Sequence, residues 1–241
     1  MAFTDRHGGV SAGTMGSLNL GRTDVDSPAA TRENYARVKA ALGVERAATV
    51  HQVHGIDVVV VDDSDRWHQP DSELGDSVVG GRKLIQADGL VTREPGIALC
   101  IRIADCVPVL FADREARVVG AAHAGRNGLA AGVLQSVIDE MVRQGADDIH
   151  AWIGPHVCGA CYEVPISMAE EVASVIPETR STTRRGTAGL DLGAGARAVL
   201  ERRAVRVTHV GDCTLEDANL HSHRRDGAEA GRLAGLVWLA Q

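Results

Sequence analysis

At three separate points of this chain a histidine or cysteine stands where an apolar run begins, breaks or ends. His51 and His54 precede the β-branched run Ile56–Asp63, and Asp105 and Cys106 interrupt the apolar stretch from Gly96 to Asp113. His123 ends the run from Val118, with Gly125 and Arg126 following. Two imidazole nitrogens and one thiolate sulfur drawn from three strand ends make a three-ligand metal set with one position left open. Two nitrogens and one sulfur suit zinc, with copper the lesser alternative. An open position lets such an ion acidify a bound water or polarise a substrate atom.

The choice within each group follows from local chain geometry. His51 and His54 form an H-x-x-H in extended chain, where residues three apart face opposite sides. One imidazole rather than both is therefore expected, and His54, beside Gly55, is the choice. Cys100 lies deep in Ile97–Ile103 and reads as an inert small hydrophobe. Cys106 differs because Asp105 and Pro108 break the strand around it. Proline has no amide to extend a ladder, so the chain is expected to bend there and present a thiolate at a pocket rim.

Other polar clusters are weaker. Arg224 and Arg225 in His221-Ser-His-Arg-Arg-Asp-Gly227 have the forked donors to clamp an anion, and Ser17 and Asn19 in Gly16–Gly21 have the groups to line a pocket. That glycine-containing run lacks the lysine of a phosphate-binding loop. Cys158 and Cys161 have the spacing of a redox pair or half a zinc knuckle. With no second C-x-x-C in the chain, they read as structural or incidental.

The elements that must position these groups are legible in outline. Ser27 and Pro28 open a helix that Gly43 closes. Strands fit Ile56–Asp63, Gly89–Thr92, Ile97–Ile103, Val107–Ala112 and Val118–Ala122, with a polar surface loop over Ser64–Arg82. The spacing of Leu129, Val133, Leu134, Val137, Ile138 and Met141 predicts one helix over Gly128–Gly145. Ile149–Pro155 and Val205–Gly211 read as strands; Pro165–Ile176, Asp191–Arg203 and roughly Gly227–Leu239 read as helices. Consecutive strands rather than strict alternation give an α+β class, a mixed α/β sandwich in one domain over residues 1–241.

The bulk numbers bound the function. The 241 residues are 44% hydrophobic with a formal net charge of −7, which disfavours nucleic acid polymers and anionic membranes. No apolar run approaches the roughly 20 residues of a membrane span. Five scattered cysteines suit reduced thiols, and a cytoplasmic location is expected.

In order along the chain, "FTDRHGGVSAG", "SLNLG", "QVHG", "ADGLVT", "ADCVPVLFAD", "VGAAHAGRNGL", "CYEV", "DCT" and "SHRRD" resemble the laccase-domain family from Phe3 to about Arg232. Its members are variously named polyphenol oxidase, purine nucleoside phosphorylase and peptidoglycan editing factor. The resemblance implies the family's single-domain sandwich, of cytotoxic-necrotizing-factor-like type, and zinc on His54, Cys106 and His123. It implies phosphorolysis of adenosine, inosine and methylthioadenosine, together with adenosine deamination. Within that reading Asp105 is the proton shuttle and Asp88 the second candidate. Arg126, at a helix start, offsets phosphate charge, with Arg225 second.

Two competing readings use the same residues. Cys106 as nucleophile with His123 as base gives a cysteine hydrolase that would fit peptidoglycan editing. Copper oxidation of phenols is disfavoured, because ten histidines supply a single H-x-H, His221 and His223. The family often has aromatics where this chain has Asn219-Leu220-His221, which puts substrate preference in question.

Overall fold

The apolar stretch that breaks at Asp105 is two strands belonging to two different sheets. The computed structural model describes residues 1–21, 26–64 and 85–240. Along the chain come β1 (Ala2–Phe3), α1 (Pro28–Leu42), β2 (Arg46–Ala48), β3 (Val58–Val61), β4 (Gly89–Thr92), β5 (Ile97–Ile103), β6 (Val107–Asp113) and β7 (Val118–Ala124). Then follow α2 (Arg126–Ala131), α3 (Val133–Arg143), β8 (His150–Ile153), α4 (Ile166–Val175), β9 (Arg180–Thr182) and β10 (Ala188–Leu190). The chain ends with α5 (Leu192–Arg202), β11 (Arg206–His209), α6 (His223–Asp226) and β12 (Leu233–Val237). One sheet has the order β1-β12-β5-β2, a larger one β11-β8-β6-β7-β4-β3, and β9 and β10 form a hairpin. This is a mixed α/β fold with several sheets.

Side-chain alternation explains how the sheets stack. In β5, Ile97, Leu99, Ile101 and Ile103 join Leu90, Leu110 and Val119 in a core between the two large sheets. Ala98 and Cys100, on the other face, pack with Tyr35 and Val38 of α1. Val109 and Phe111 of β6 face the opposite way from Leu110, toward Leu134, Val137 and Met141 of α3 and Val199 of α5. The order is therefore helix, sheet, sheet, helices. A strand covered on both faces is apolar along nearly its whole length, and β5 is buried throughout, with Arg102 its one charged residue.

Most expected elements form, and two expectations change. Ser27 caps α1 by accepting a hydrogen bond from the Ala30 amide. The single helix expected over Gly128–Gly145 is two, because Gly132 at φ 106° breaks the helical path between α2 and α3. The helix expected near Gly227–Leu239 is instead a short 3-10 turn and the strand β12, paired antiparallel with β5 from Leu233↔Ile103 to Val237↔Leu99. Leu233 and Val237 face one core while Ala234 and Leu236 face another, so the run shows no polar alternation to tell strand from helix. The loop expected over Ser64–Arg82 lies, except for Ser64, outside the described residues.

Leu134 sits fully buried at the centre of the helix–sheet core. Leu134→Ala is expected to lower the unfolding free energy by about 2–5 kcal/mol in urea titration. Val142→Ala, on the exposed side of the same helix, should change it by less than about 0.5 kcal/mol.

Candidate active site

Three residues, Ala104, Asp105 and Cys106, carry the chain from β5 in one sheet to β6 in the other. So short a connection requires a sharp turn, and Asp105 makes it in the left-handed region at φ 84°. Both carboxylate oxygens brace the turn: Oδ1 accepts from the Thr214 hydroxyl at 2.6 Å and Oδ2 from the Arg224 amide at 2.6 Å. Cys106 is thereby set at the start of β6, opposite the end of β7, where Pro108 pairs with His123.

A second turn brings His54 to the same place. Asp88, fully buried just before β4, accepts from the amides of Val53, His54 and Gly55 at 3.1, 3.0 and 2.7 Å. These bonds hold His54 at φ 60°. Oδ1 of the same carboxylate lies 2.7 Å from His123 Nδ1. With Nδ1–H committed to Asp88, the His123 Nε2 lone pair is left for a metal or a proton.

The ligating atoms of His54, Cys106 and His123 all lie within 4.8 Å of one another, with Cys106 Sγ 3.7 Å from His54 Nε2. A nitrogen–nitrogen–sulfur set with its histidine oriented by a carboxylate fits a zinc-type ion in donor chemistry. Gly125, at the start of α2, permits the packing, since a Cβ there would stand 2.3 Å from the His54 ring and 3.3 Å from Cys106 Sγ. Of the H-x-x-H pair, His54 is in this cluster; His51 is held elsewhere, in a bridge with Gln86.

The three side chains are coupled electrostatically. Desolvation opposes the Cys106 thiolate, yet the charge and hydrogen bonds of His123 and His54 bring that thiol down to about 6. Burial likewise opposes the His123 cation, and Cys106 and Asp88 together raise it to about 9. Asp88 is held below the usual carboxylate range: its burial works against this, and the His123 contact and the Gly55 and Val53 amides outweigh it.

The cluster stands between two cavities that share His54, Ala104, Cys106 and His223. One, of about 460 Å³, is also lined by Arg126, Asn127, Tyr162 and Arg224. The other, of about 300 Å³, is also lined by Gln52, Arg102, His123 and Arg232. The Arg224 guanidinium lies 4.8 Å from the centroid of the Tyr162 ring, a cation–π geometry. Burial and the nearby Cys106 charge raise the Tyr162 hydroxyl, while Arg126 and Arg224 pull the other way.

Several expected site residues lie elsewhere or are engaged otherwise. Asn19 is fully buried, bonding Asp26 with its amide nitrogen and the Gly21 and Arg232 amides with its oxygen. Ser17 bonds the Gly9 amide and the Arg6 carbonyl, and neither Ser17 nor Asn19 lines either cavity. The Arg225 guanidinium is engaged by Asp226 and by the carbonyls of Thr214, Asp217 and Leu220, so its neighbour Arg224 is the one facing the cavity. Arg126 does line the cavity, but it opens a helix of only six residues, so the guanidinium rather than a helix dipole supplies its charge. Asp105 and Asp88 both have their oxygens in fixed hydrogen bonds, which suits positioning better than proton transfer. Asn219, Leu220 and His221 line neither cavity, so the departure from the family pattern there falls away from these walls. Sequence reasoning passed over Gln52, Arg102, Asn127, Tyr162 and Arg232. Gln52, Asn127 and Tyr162 stand in the blocks "QVHG", "VGAAHAGRNGL" and "CYEV", which mark the resemblance without marking them as wall residues.

Comparison with known proteins agrees across the whole chain. A family model described as multi-copper polyphenol oxidoreductase laccase matches residues 1–240. A Streptomyces griseus protein named purine nucleoside phosphorylase is 47% identical over 243 residues, covering 99% of this chain and 93% of that protein. A solved Neisseria meningitidis protein of the DUF152 family superposes with TM-score 0.80 at 34% identity, covering 99% of this chain and 93% of that one. The Bacillus licheniformis hypothetical protein YfiH superposes with TM-score 0.86 at 29% identity, covering 98% and 91%.

In chelator-stripped protein, alkylation of Cys106 by iodoacetamide should rise with pH through a midpoint of about 6, against about 8.5 for an ordinary thiol. A midpoint at the ordinary value would show that the two imidazoles do not act on it. Where the cluster takes up a divalent metal, Asp88→Asn is expected to weaken that binding by about 10–100-fold in competition titrations, since it removes the charge that orients His123.

Proposed function

The chain belongs to the multi-copper polyphenol oxidoreductase laccase family, and on that premise we propose that it is a zinc-dependent purine nucleoside phosphorylase. Its substrates are adenosine, inosine and methylthioadenosine, with adenosine deamination as a second activity. One domain over residues 1–241, in a reducing cytoplasm, completes the reading. The observation that carries it is a nitrogen–nitrogen–sulfur donor set beside two guanidinium groups: His54 and Cys106 line the cavity of about 460 Å³ with Arg126 and Arg224, and His123 lines the adjoining one.

A zinc ion on His54, Cys106 and His123 would supply Lewis acidity, lowering the pKa of a bound water or polarising a substrate oxygen. The protein's own groups do the rest. Arg126 and Arg224 receive phosphate with charge-assisted hydrogen bonds and offset its charge as it approaches the ribose. A phosphate oxygen bonds to the anomeric carbon as the glycosidic bond breaks, and the purine leaves with that electron pair and takes up a proton. His223, on the wall common to both cavities, supplies the proton. Tyr162 and Asn127 orient the base, Asp88 fixes the His123 tautomer, and Asp105 positions Arg224 through its amide.

One observation favours a second reading. Asp88, His123 and Cys106 form a carboxylate–imidazole–thiol series of the kind that serves a cysteine nucleophile, with Cys106 attacking and His123 as base. Such a hydrolase would act in peptidoglycan precursor editing without metal. Copper oxidation of phenols finds less support. The single H-x-H is divided, His221 being buried against the Leu18 carbonyl while His223 lines the cavities.

Untagged protein incubated with adenosine and phosphate should release adenine and ribose 1-phosphate, with inosine as the deamination product, followed by chromatography. Cys106→Ala should lower turnover by at least ~100-fold, and Arg224→Ala should raise the KM for phosphate about tenfold or more. Equal turnover by wild type and Cys106→Ala would overturn the assignment. Full activity in metal-free protein would favour the hydrolase.

A further inference from the structure

Cys158-Gly-Ala-Cys161 has no second C-x-x-C in the sequence, but the fold supplies another half. Cys213-Thr-Leu-Glu216 repeats the spacing with a carboxylate in the last place. The three sulfurs and a carboxylate oxygen of Glu216 all lie within 4.8 Å of one another. Each half is a tight turn closed by its own backbone bond, Cys161 N to Cys158 O at 2.9 Å and Glu216 N to Cys213 O at 3.1 Å. The halves are held in register by a bridge between His156 and Cys213 and by the Thr214 amide, which donates to His156 O at 3.1 Å. The Cys158 amide donates to Cys213 Sγ at 3.3 Å, and the Cys161 thiol to Glu216 Oε1 at 3.3 Å. All three cysteines are free thiols.

We propose that Cys158, Cys161, Cys213 and Glu216 bind a second divalent cation of the zinc class, separate from the ion of His54, Cys106 and His123. Three thiolates select a soft or borderline ion over magnesium or calcium. Zinc–sulfur bonds of about 2.3 Å put tetrahedral sulfurs about 3.8 Å apart, so the cluster needs only a small contraction. Glu216 is ion-paired with Arg184, whose charge offsets part of the donors' negative charge. Four protein donors leave no open position, the mark of a structural site. Its effect is mechanical. The ion ties the turn leading to Tyr162 to the turn bearing Thr214, which in turn holds Asp105. Two segments that meet at the wall of the larger cavity are thereby fastened from behind.

The test uses the full chain, untagged and purified under reducing conditions, with metal content measured by mass spectrometry. Cys106→Ala, which disables the first site only, should retain about one zinc per chain where wild type holds about two, and adding Cys161→Ser should remove it. Cobalt(II) loaded into Cys106→Ala should give the near-ultraviolet charge-transfer intensity of three thiolates and the visible bands of a tetrahedral ion. That spectrum decides the matter even if the Cys161→Ser chain does not fold. Folded Cys106→Ala that takes up neither zinc nor cobalt would overturn the proposal. So would alkylation mapping that finds two of the three cysteines joined in a disulfide.

Discussion

A buried carboxylate is tolerable only when its oxygens are fully hydrogen-bonded, and Asp88 meets that condition in a way that builds the site. Its donors are three consecutive amides of one loop and the imidazole at the end of a neighbouring strand. One charge therefore fixes two imidazoles at once. It holds the backbone that presents His54, and it sets which nitrogen of His123 is free. Removing that charge would leave three inward-facing amides with weaker partners, so the loop conformation and the ligand geometry stand or fall together. The Asp88 backbone is pinned as well, its amide bonding Asp57 O and its carbonyl accepting from His123 N.

Cys106 reaches the same point through a different constraint. The three-residue passage from β5 to β6 is the place where the chain leaves one sheet and enters the other. Regular strand geometry must lapse there, and the lapse exposes a side chain that would otherwise be core. Asp105 serves this crossing much as Asp88 serves the loop, with two oxygens on two partners. The site thus lies where the two sheets exchange chain, and its walls combine the ends of β5 and β7 with loop segments between elements.

This architecture explains what could be read from the sequence. Residue chemistry was legible for His54, Cys106 and His123, because a histidine or a broken strand at the end of an apolar run is locally unusual. So were the α1 boundaries, which rest on the local signals Ser27, Pro28 and Gly43. Partnership was not legible. Whether Asp105 faces a substrate or Thr214, and whether Arg224 or Arg225 faces the cavity, depends on contacts between positions more than a hundred residues apart or on a single step of helical phase. Asn19 looked like a pocket amide and is a buried brace for the same reason. β12 was misread because both its faces are buried, which erases the alternation that marks a strand. Cys158 and Cys161 looked incomplete because their counterpart ends in glutamate and lies fifty residues away.

Charge distribution then decides what the cavities admit. The chain as a whole is acidic, with a formal net charge of −7, yet Arg126, Arg224, Arg102 and Arg232 all border the two cavities around the metal cluster. A net negative charge disfavours binding of a long polyanion. A basic interior of limited volume still attracts one small anion, and its low-dielectric walls strengthen that attraction. Under the proposed function phosphate would be that anion, and the nucleoside an uncharged body for Tyr162 and Leu192 to contact. A net charge that disfavours a nucleic acid polymer is compatible with its smallest neutral component, provided the anion arrives separately. Phosphorolysis brings the two in as separate molecules.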